Sequence, residues 1–380
     1  MKVAYVTVQD STNVRSFSGT GYYVPQSLEQ NGAQVHYIGK LKTQPYLVEK
    51  LKETYFHRLQ GKRYWFNRNP RVIKNFGEQA LKRLENVDYD VALSISSIPM
   101  ARMKTDKPIV YWMDAVFADI IDFYPEFTNM AGITLREGEQ MEQEALEHCT
   151  YAVFSSQWAA DSAIRHYNID PAKVKVIHYG ANIDHPYDEH QVDQIIHAKP
   201  VDHCKLLFAG VDWQRKGGDT ALRVAQTLND RGIQTELHLL GSQPSNGQKL
   251  PGFVINHGFI SKESQEGRDK IHQIISNAHF LILPTRADCT PIVFAEFNSY
   301  GIPCLTTDIG GIPSLIQNGI NGQMFGLDAP PEDYADFIQS IMQDDDAYQR
   351  LAHSSYQQYK NRLNWQVAGA KMMNLLKQIT

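Results

Sequence analysis

Short apolar runs recur along the chain, separated by longer segments of mixed polarity. In the first half they predict strands at Val3–Val8, Val35–Ile38, Val91–Ile95, Ile109–Trp112, Ala152–Phe154 and Val174–Ile177. In the second half they fall at Leu206–Ala209, Leu237–Leu240, Phe280–Leu283, Cys304–Thr306 and Met324–Phe325, with a further strand ending at Asn256-His257-Gly258. The stretches between them are amphipathic or polar and long enough for crossover helices. Apolar strands flanked by helices predict parallel sheets covered on both faces. Two such series predict an α/β chain of two Rossmann-like, doubly wound domains.

At 380 residues the chain exceeds what one core usually fills, which agrees with two domains. The segment Asn182–His203 is polar and acidic, contains Pro186 and Pro200, and reads as the linker. This puts the first domain at residues 1–185 and the second at 186–359. Val367, Met372, Leu375, Leu376 and Ile379 recur at helical spacing. They predict a terminal helix within 360–380 that either packs back on the first domain or caps the second.

The net charge of -5 lacks the basic excess of a nucleic-acid binder. No run approaches the roughly 18 apolar residues a membrane span requires. Met1–Val6 turns polar by Gln9-Asp10, which is short for a signal peptide and suits a buried first strand. A cytoplasmic protein is expected, with the inner face of a membrane as a surface it could visit. Cys149, Cys204, Cys289 and Cys304 are widely spaced and form no C-x-x-C pair, so reduced thiols are expected and a zinc site is not.

Ligands of open parallel sheets bind beyond the carboxyl ends of the strands, where helix N-termini point. Two strand ends in the second half carry suitable chemistry. One runs Gly210-Val211-Asp212-Trp213-Gln214-Arg215-Lys216-Gly217-Gly218-Asp219 and leads into a helix predicted at Thr220–Leu228. Arg215 as a planar fork and Lys216 as a compact charge suit a diphosphate; a solvated basic turn is the alternative. The other runs from Pro284 through Asp288-Cys289-Thr290-Pro291-Ile292 to Glu296. Thr290 is the expected N-cap and Pro291 the first helical residue, leaving Asp288 in the loop and Glu296 on the helix. Backbone N–H groups near Cys289 and Thr290 would face the same opening.

Together these segments resemble the family 4 retaining glycosyltransferases of the GT-B fold, whose second domain carries Glu, seven residues, then Glu. Asp288 and Glu296 keep that spacing. Around them stand Ser276-Asn277-Ala278-His279, Ser299-Tyr300-Gly301-Ile302-Pro303, Thr307-Asp308-Ile309-Gly310-Gly311 and Asn318-Gly319-Ile320-Asn321-Gly322, with Val176-Ile177-His178-Tyr179-Gly180-Ala181-Asn182 upstream. The chain departs from the family pattern at Val211, where arginine is usual, at Asp288 for glutamate, at Pro291 for glycine, at Ser314 for glutamate, and at Met113 before Asp114, where relatives have histidine.

The resemblance implies a nucleotide-sugar donor, UDP-, GDP- or ADP-linked, as co-substrate, with no metal and no resident cofactor. It implies front-face displacement with retention, Lys216 and Arg215 stabilising the leaving diphosphate near Gly210. Asp288 would orient the sugar and Glu296 the ribose, with Cys289, Thr290, Pro291 and Ile292 around the phosphates. Gly19, Thr20 and Gly21, in a loop after the first strand, would approach the donor phosphates. Phe259 and Ile260 would lie near the base, and Asp114 would contact the reacting sugar or the acceptor. The acceptor would be a glycan, a lipid-linked molecule or a small molecule, as in polysaccharide biosynthesis. Residues 40–85 are locally basic and carry Tyr46, Tyr55, Phe56, Tyr64, Trp65 and Phe66, a composition that suits an anionic membrane surface or a solvated face. A sugar-nucleotide epimerase of the same fold and a non-catalytic nucleotide-sugar binder are the competing readings. A nicotinamide dehydrogenase fits less well, because Ser18-Gly19-Thr20-Gly21 is not G-x-G-x-x-G.

Overall fold

A computed structural model describes residues 1–43, 47–184, 187–244 and 249–380; Tyr46 and Pro186 lie outside the described residues. Contacts divide the chain into two units, Met1–Tyr179 with Trp365–Thr380, and Gly180–Asn364.

The first unit holds strands β1 (Lys2–Val6), β2 (Gln34–Ile38), β3 (Val91–Ser94), β4 (Ile109–Met113), β5 (Tyr151–Phe154) and β6 (Val174–Val176), and the second β7 (Cys204–Gly210), β8 (Thr235–Gly241), β9 (Val254–Asn256), β10 (Phe280–Leu283), β11 (Cys304–Thr307) and β12 (Gly322–Phe325). Helices α1 (Thr20–Gln30), α2 (Leu47–Gln60), α3 (Pro70–Leu84), α4 (Phe117–Ile120), α5 (Gly132–His148) and α6 (Gln157–His166) belong to the first unit. The second unit carries α7 (Glu189–His197), α8 (Gly218–Asp230), α9 (Gln265–Ser276), α10 (Ile292–Asn298), α11 (Pro331–Met342) and α12 (Asp345–Asn361). Helix α13 (Trp365–Leu376) closes the chain.

Every strand pairing is parallel. The sheet orders are β2-β1-β3-β4-β5-β6 and β12-β11-β10-β7-β8-β9. Central strands β3, β4 and β10 are buried along their whole length, as expected where helices cover both faces, while the edge strands β6 and β9 stay partly exposed. In each sheet the chain first builds outward in one direction and then returns to the other side of its first strand. These reversals fall between β1 and β3 and between β7 and β10, and such switch points open a crevice at the carboxyl ends of the strands.

Residues 182–203, expected as a linker, contain α7. Asp188 accepts from the Gln191 N–H at 2.9 Å, and the Gln191 side chain reaches back to the Asp188 N–H at 3.1 Å. This reciprocal cap starts a helix that buries Val192 and Ile196 in the second core. The composition was polar because only one face of the helix is covered.

Helix α13 belongs to the first unit and packs on α1. Trp365 stacks on Tyr23 with ring centroids 6.4 Å apart and lies 5.9 Å from Trp112 and 5.7 Å from Tyr179. The two helices approach so closely at Gly369 that a Cβ there would stand 2.4 Å from the Ser27 carbonyl oxygen. Replacing a helical glycine by alanine ordinarily gains about 1 kcal/mol of helix propensity. Here backbone must move, and overpacking of this kind costs roughly 1–3 kcal/mol. Gly369→Ala is therefore expected to lower unfolding free energy in urea denaturation; a gain in stability would show that the helices separate freely.

Candidate functional site

The second switch point is where the basic loop and the acidic loop meet. The β7 strand ends at Gly210, and the chain turns through Asp212–Gly217 into α8. Gly217 is the N-cap in a left-handed conformation, φ 78°, and a Cβ on it would lie 1.9 Å from the Pro284 carbonyl oxygen. Only glycine lets this loop rest on the exit of β10. The Arg215 carbonyl then accepts from the Arg286 N–H at 2.7 Å and from the Thr285 hydroxyl at 3.1 Å. These bonds fix the spacing of the two loops.

Side chains converge across that seam. Lys216 Nζ donates to Asp288 Oδ2 in a direct ion pair, and its stem runs over Gly210. Arg215 Nη1 donates to the Ala287 carbonyl at 2.8 Å and lies 3.7 Å from the same Asp288 oxygen. Arg215 is also paired with Asp212, whose carboxylate is 3.5 Å from Nε. Both basic side chains are mostly buried. Two cations thus meet two carboxylates, Asp288 and Asp212, in a partly desolvated corner, where the attraction of either cation for an anion exceeds its value in bulk water.

Helix α10 begins one residue later than expected. Pro291 is its N-cap, and the Thr290 hydroxyl donates to the Cys289 carbonyl at 2.8 Å instead of capping the helix. Cys289, Thr290 and Pro291 are buried, Ile292 partly so. Glu296, on α10, receives Lys262 Nζ at 2.7 Å, a partner that sequence spacing did not suggest. Phe259, after β9, is 70% exposed, and Ile260 packs against the core. Behind these groups, Asn298 and Asn321 are fully buried and bonded to each other at 2.7 Å; Asn321 also donates to the Leu315 carbonyl at 3.0 Å. His279 accepts from the Lys205 N–H at 3.0 Å, and its other ring nitrogen contacts the Pro200 carbonyl at 2.8 Å. Burial pushes its pKa down to about 3, which keeps it neutral. Both motif positions are structural.

The remaining candidates belong to the first unit. Gly19 is the N-cap of α1, so Thr20 and Gly21 start the helix and are not a loop. The turn before it is left-handed at Phe17, Ser18 and Gly19. Asp114, just past β4, is exposed and borders a cavity of about 360 Å³ at the carboxyl ends of β1, β3 and β4. Glu142 of α5 lines its floor at 2% exposure, one oxygen accepting from Ser97 Oγ at 2.9 Å. Its pKa is pushed up to about 7 by burial, against the opposing charge of Arg68. The basic region 40–85 divides. Tyr64 is buried and bonded to Glu49, Phe56 stacks on it, and Arg68 turns inward to the cavity. Helix α2 exposes apolar side chains, Leu47 at 77%, Leu51 at 70% and Leu59 at 76% with Val48 and Tyr55, among exposed charged ones, Lys50, Glu53 and Arg58.

Two doubly wound units in one chain, with a cationic loop at the switch point of the second, define the GT-B class of architecture. Residues 22–185 match the family Glycosyltransferase Family 4, and residues 203–344 match Glycosyl transferases group 1. Among curated proteins, a D-inositol 3-phosphate glycosyltransferase of Streptomyces scabiei is 27% identical over 176 residues, 43% of this chain and 40% of that protein. One from Streptomyces coelicolor is 24% identical over 237 residues, 56% of this chain and 51% of that protein. The chain thus spans about half the length, or less, of the curated relatives it matches. Among solved structures, sucrose-phosphate synthase from Thermosynechococcus elongatus superposes with TM-score 0.74 at 15% identity, covering 100% of this chain and 98% of the other. Anabaena HepE in complex with UDP and glucose gives TM-score 0.65 at 14% identity, with both chains fully covered. The chain belongs to family 4 of the glycosyltransferases, the glycosyl transferases group 1.

Glu142 also generates a stability prediction. A glutamate whose folded pKa is raised stabilises the fold while protonated and loses that contribution as pH climbs from the ordinary 4.5 to about 7. The shift corresponds to roughly 3 kcal/mol. Asp119, raised to about 6 by burial, titrates in the same window, so the comparison is with Glu142→Gln. Urea titrations across that range are expected to show wild type losing stability relative to the variant as pH rises; parallel curves would place Glu142 in a wetter site.

Proposed function

We propose that this chain is a retaining glycosyltransferase that moves a sugar from a UDP-, GDP- or ADP-linked donor to an acceptor hydroxyl without a metal ion. The observation that carries the reading is the convergence of Arg215 and Lys216 on Asp288 at the second switch point. In the reaction the bond from the anomeric carbon to the diphosphate oxygen breaks. The acceptor oxygen forms its bond on the same face, and its proton passes to the leaving phosphate. Negative charge therefore grows on the diphosphate, and Lys216 and Arg215 stabilise it as it forms. Arg215 takes the part the missing arginine at Val211 plays in relatives. Asp288 orients the transferred sugar, Glu296 the ribose, and Phe259 with Ile260 flank the base. Within the first unit, Asp114 is assigned to the acceptor.

Variants separate these roles. A thermal-shift screen of UDP-, GDP- and ADP-sugars first identifies the donor, since a bound ligand raises apparent stability. With that donor, Lys216→Ala is expected to lose about a hundredfold or more in transfer. Asp288→Asn keeps or tightens nucleoside diphosphate binding, because the lysine is released, yet loses transfer; Glu296→Gln weakens donor binding. Wild-type turnover of Lys216→Ala at saturating donor would sink the phosphate assignment. Product analysis separates the other readings, an epimerised donor or an intact one each counting against transfer.

The surface of α2 supports a site of action at an anionic membrane. Its exposed leucines stand beside exposed Lys50 and Arg58, the pairing of apolar area and positive charge that interfacial helices use. Among the described residues no helix is long and apolar enough to cross a membrane. Co-sedimentation with phosphatidylserine vesicles is expected, and Leu51→Glu with Leu59→Glu should abolish it. Absence of wild-type binding to those vesicles would remove the membrane reading.

A further inference from the structure

The cavity at the first switch point has a composition that selects among ligands. Val8 and Gln9 follow β1, Ile95–Ile98 follow β3, and Met113–Phe117 end and follow β4, all at carboxyl ends of the strands. At about 360 Å³ it lies at the small end of ligand sites, large enough for one or two sugar rings. Three buried polar atoms in its lining have no hydrogen-bond partner: Asn67 Oδ1, Arg68 Nε and Glu142 Oε1. Buried polar atoms are nearly always satisfied, so three orphans around one cavity mark where a ligand's groups belong.

Their construction is deliberate in the sequence. Asn67 and Arg68 lie on a single 3-10 turn, Phe66–Arg68, that leads directly into α3. Asn69, the next residue, caps α3 and donates to Glu137 of α5 at 3.0 Å, which holds the turn against the helix bearing Glu142. The Arg68 guanidinium lies over the Phe117 ring, 4.5 Å from its centroid, so its orientation is fixed by stacking. Phe17, Phe76 and Phe117 supply apolar wall.

Two of the three orphans accept and one donates. A hydroxyl can do either, and a sugar ring offers several at fixed spacing with an apolar C–H face for the aromatic wall. Charge decides between a neutral sugar and a phosphorylated one. The lining holds one cation, Arg68, against two carboxyl groups, Asp114 and Glu142. An anionic ligand would meet no net positive field here. We propose that this cavity is a subsite for an uncharged sugar, held by Asn67, Arg68 and Glu142, and that it discriminates against sugar phosphates. Naming that sugar as the acceptor rests on the glycosyltransferase reading; the binding itself does not.

The test uses the full chain and saturation-transfer NMR with millimolar methyl glycosides of the common hexoses and their N-acetylated forms. Matching sugar phosphates and inositol phosphate form the second arm. At least one uncharged glycoside is expected to bind, and its phosphorylated counterpart about tenfold or more weakly. Asn67→Leu and Glu142→Met, checked for folding by thermal melting, should each weaken the glycoside about tenfold and leave nucleotide binding unchanged. Asn67 sits on a partly exposed turn, so its variant keeps the test alive if the α5 substitution unfolds the unit. Tighter binding of sugar phosphates, unchanged glycoside affinity in the folded variants, or no binding across the uncharged panel would each overturn the subsite. Glycoside binding in a chain that ignores every nucleotide sugar would sink the transferase reading and leave the subsite standing.

Discussion

The placement of Arg215, Lys216 and Asp288 depends on one backbone seam. The loop after β7 and the loop after β10 are joined through the Arg215 carbonyl, which accepts from both Arg286 and Thr285, and are pressed together at Gly217 against Pro284. Parallel sheet topology brings the two strand ends side by side; the seam sets their separation within hydrogen-bonding precision. Arg215, Lys216 and Asp288 lie on opposite sides of it, 72 residues apart in sequence for the ion-paired pair. A larger residue at 217 would separate the loops before it disturbed any charge.

Much of the second unit was legible because its signals are local. Apolar runs marked the strands, and the Gly-rich stretch after Phe208 and the acids around Pro291 marked the two loops. What failed was also local but finer. Thr290 has the chemistry of a cap, yet its hydroxyl turns to the Cys289 carbonyl and Pro291 takes the position. Within residues 182–203, Asp188 with Gln191 and the apolar positions Val192, Ile195 and Ile196 form a helix signal that the polar average of the stretch hides. Asn321 and His279, conspicuous in the motif text, are held in bonding networks of the interior.

In the first unit the important relations are long-range. Arg68 stands among many basic residues and Glu142 among many acids, and neither has a spacing that singles it out. Only folding shows that the turn before α3 and the middle of α5 border the same cavity. The exposed leucines of α2 were missed for a related reason. Basic and aromatic residues dominate the composition of 40–85, and burial alone reveals that the face α2 tucks inward is the one carrying Glu49.

Under the proposed donor role, the Lys216–Asp288 pair would bear on selectivity among anions. The ammonium group already has a counter-ion within the protein, so an incoming anion would compete with a carboxylate tethered beside it. A small, singly bound ion such as inorganic phosphate gains little from that exchange, whereas a nucleoside diphosphate brings its base and ribose contacts to the same displacement. On that reading the site would favour a ligand anchored beyond its phosphates over a small free anion.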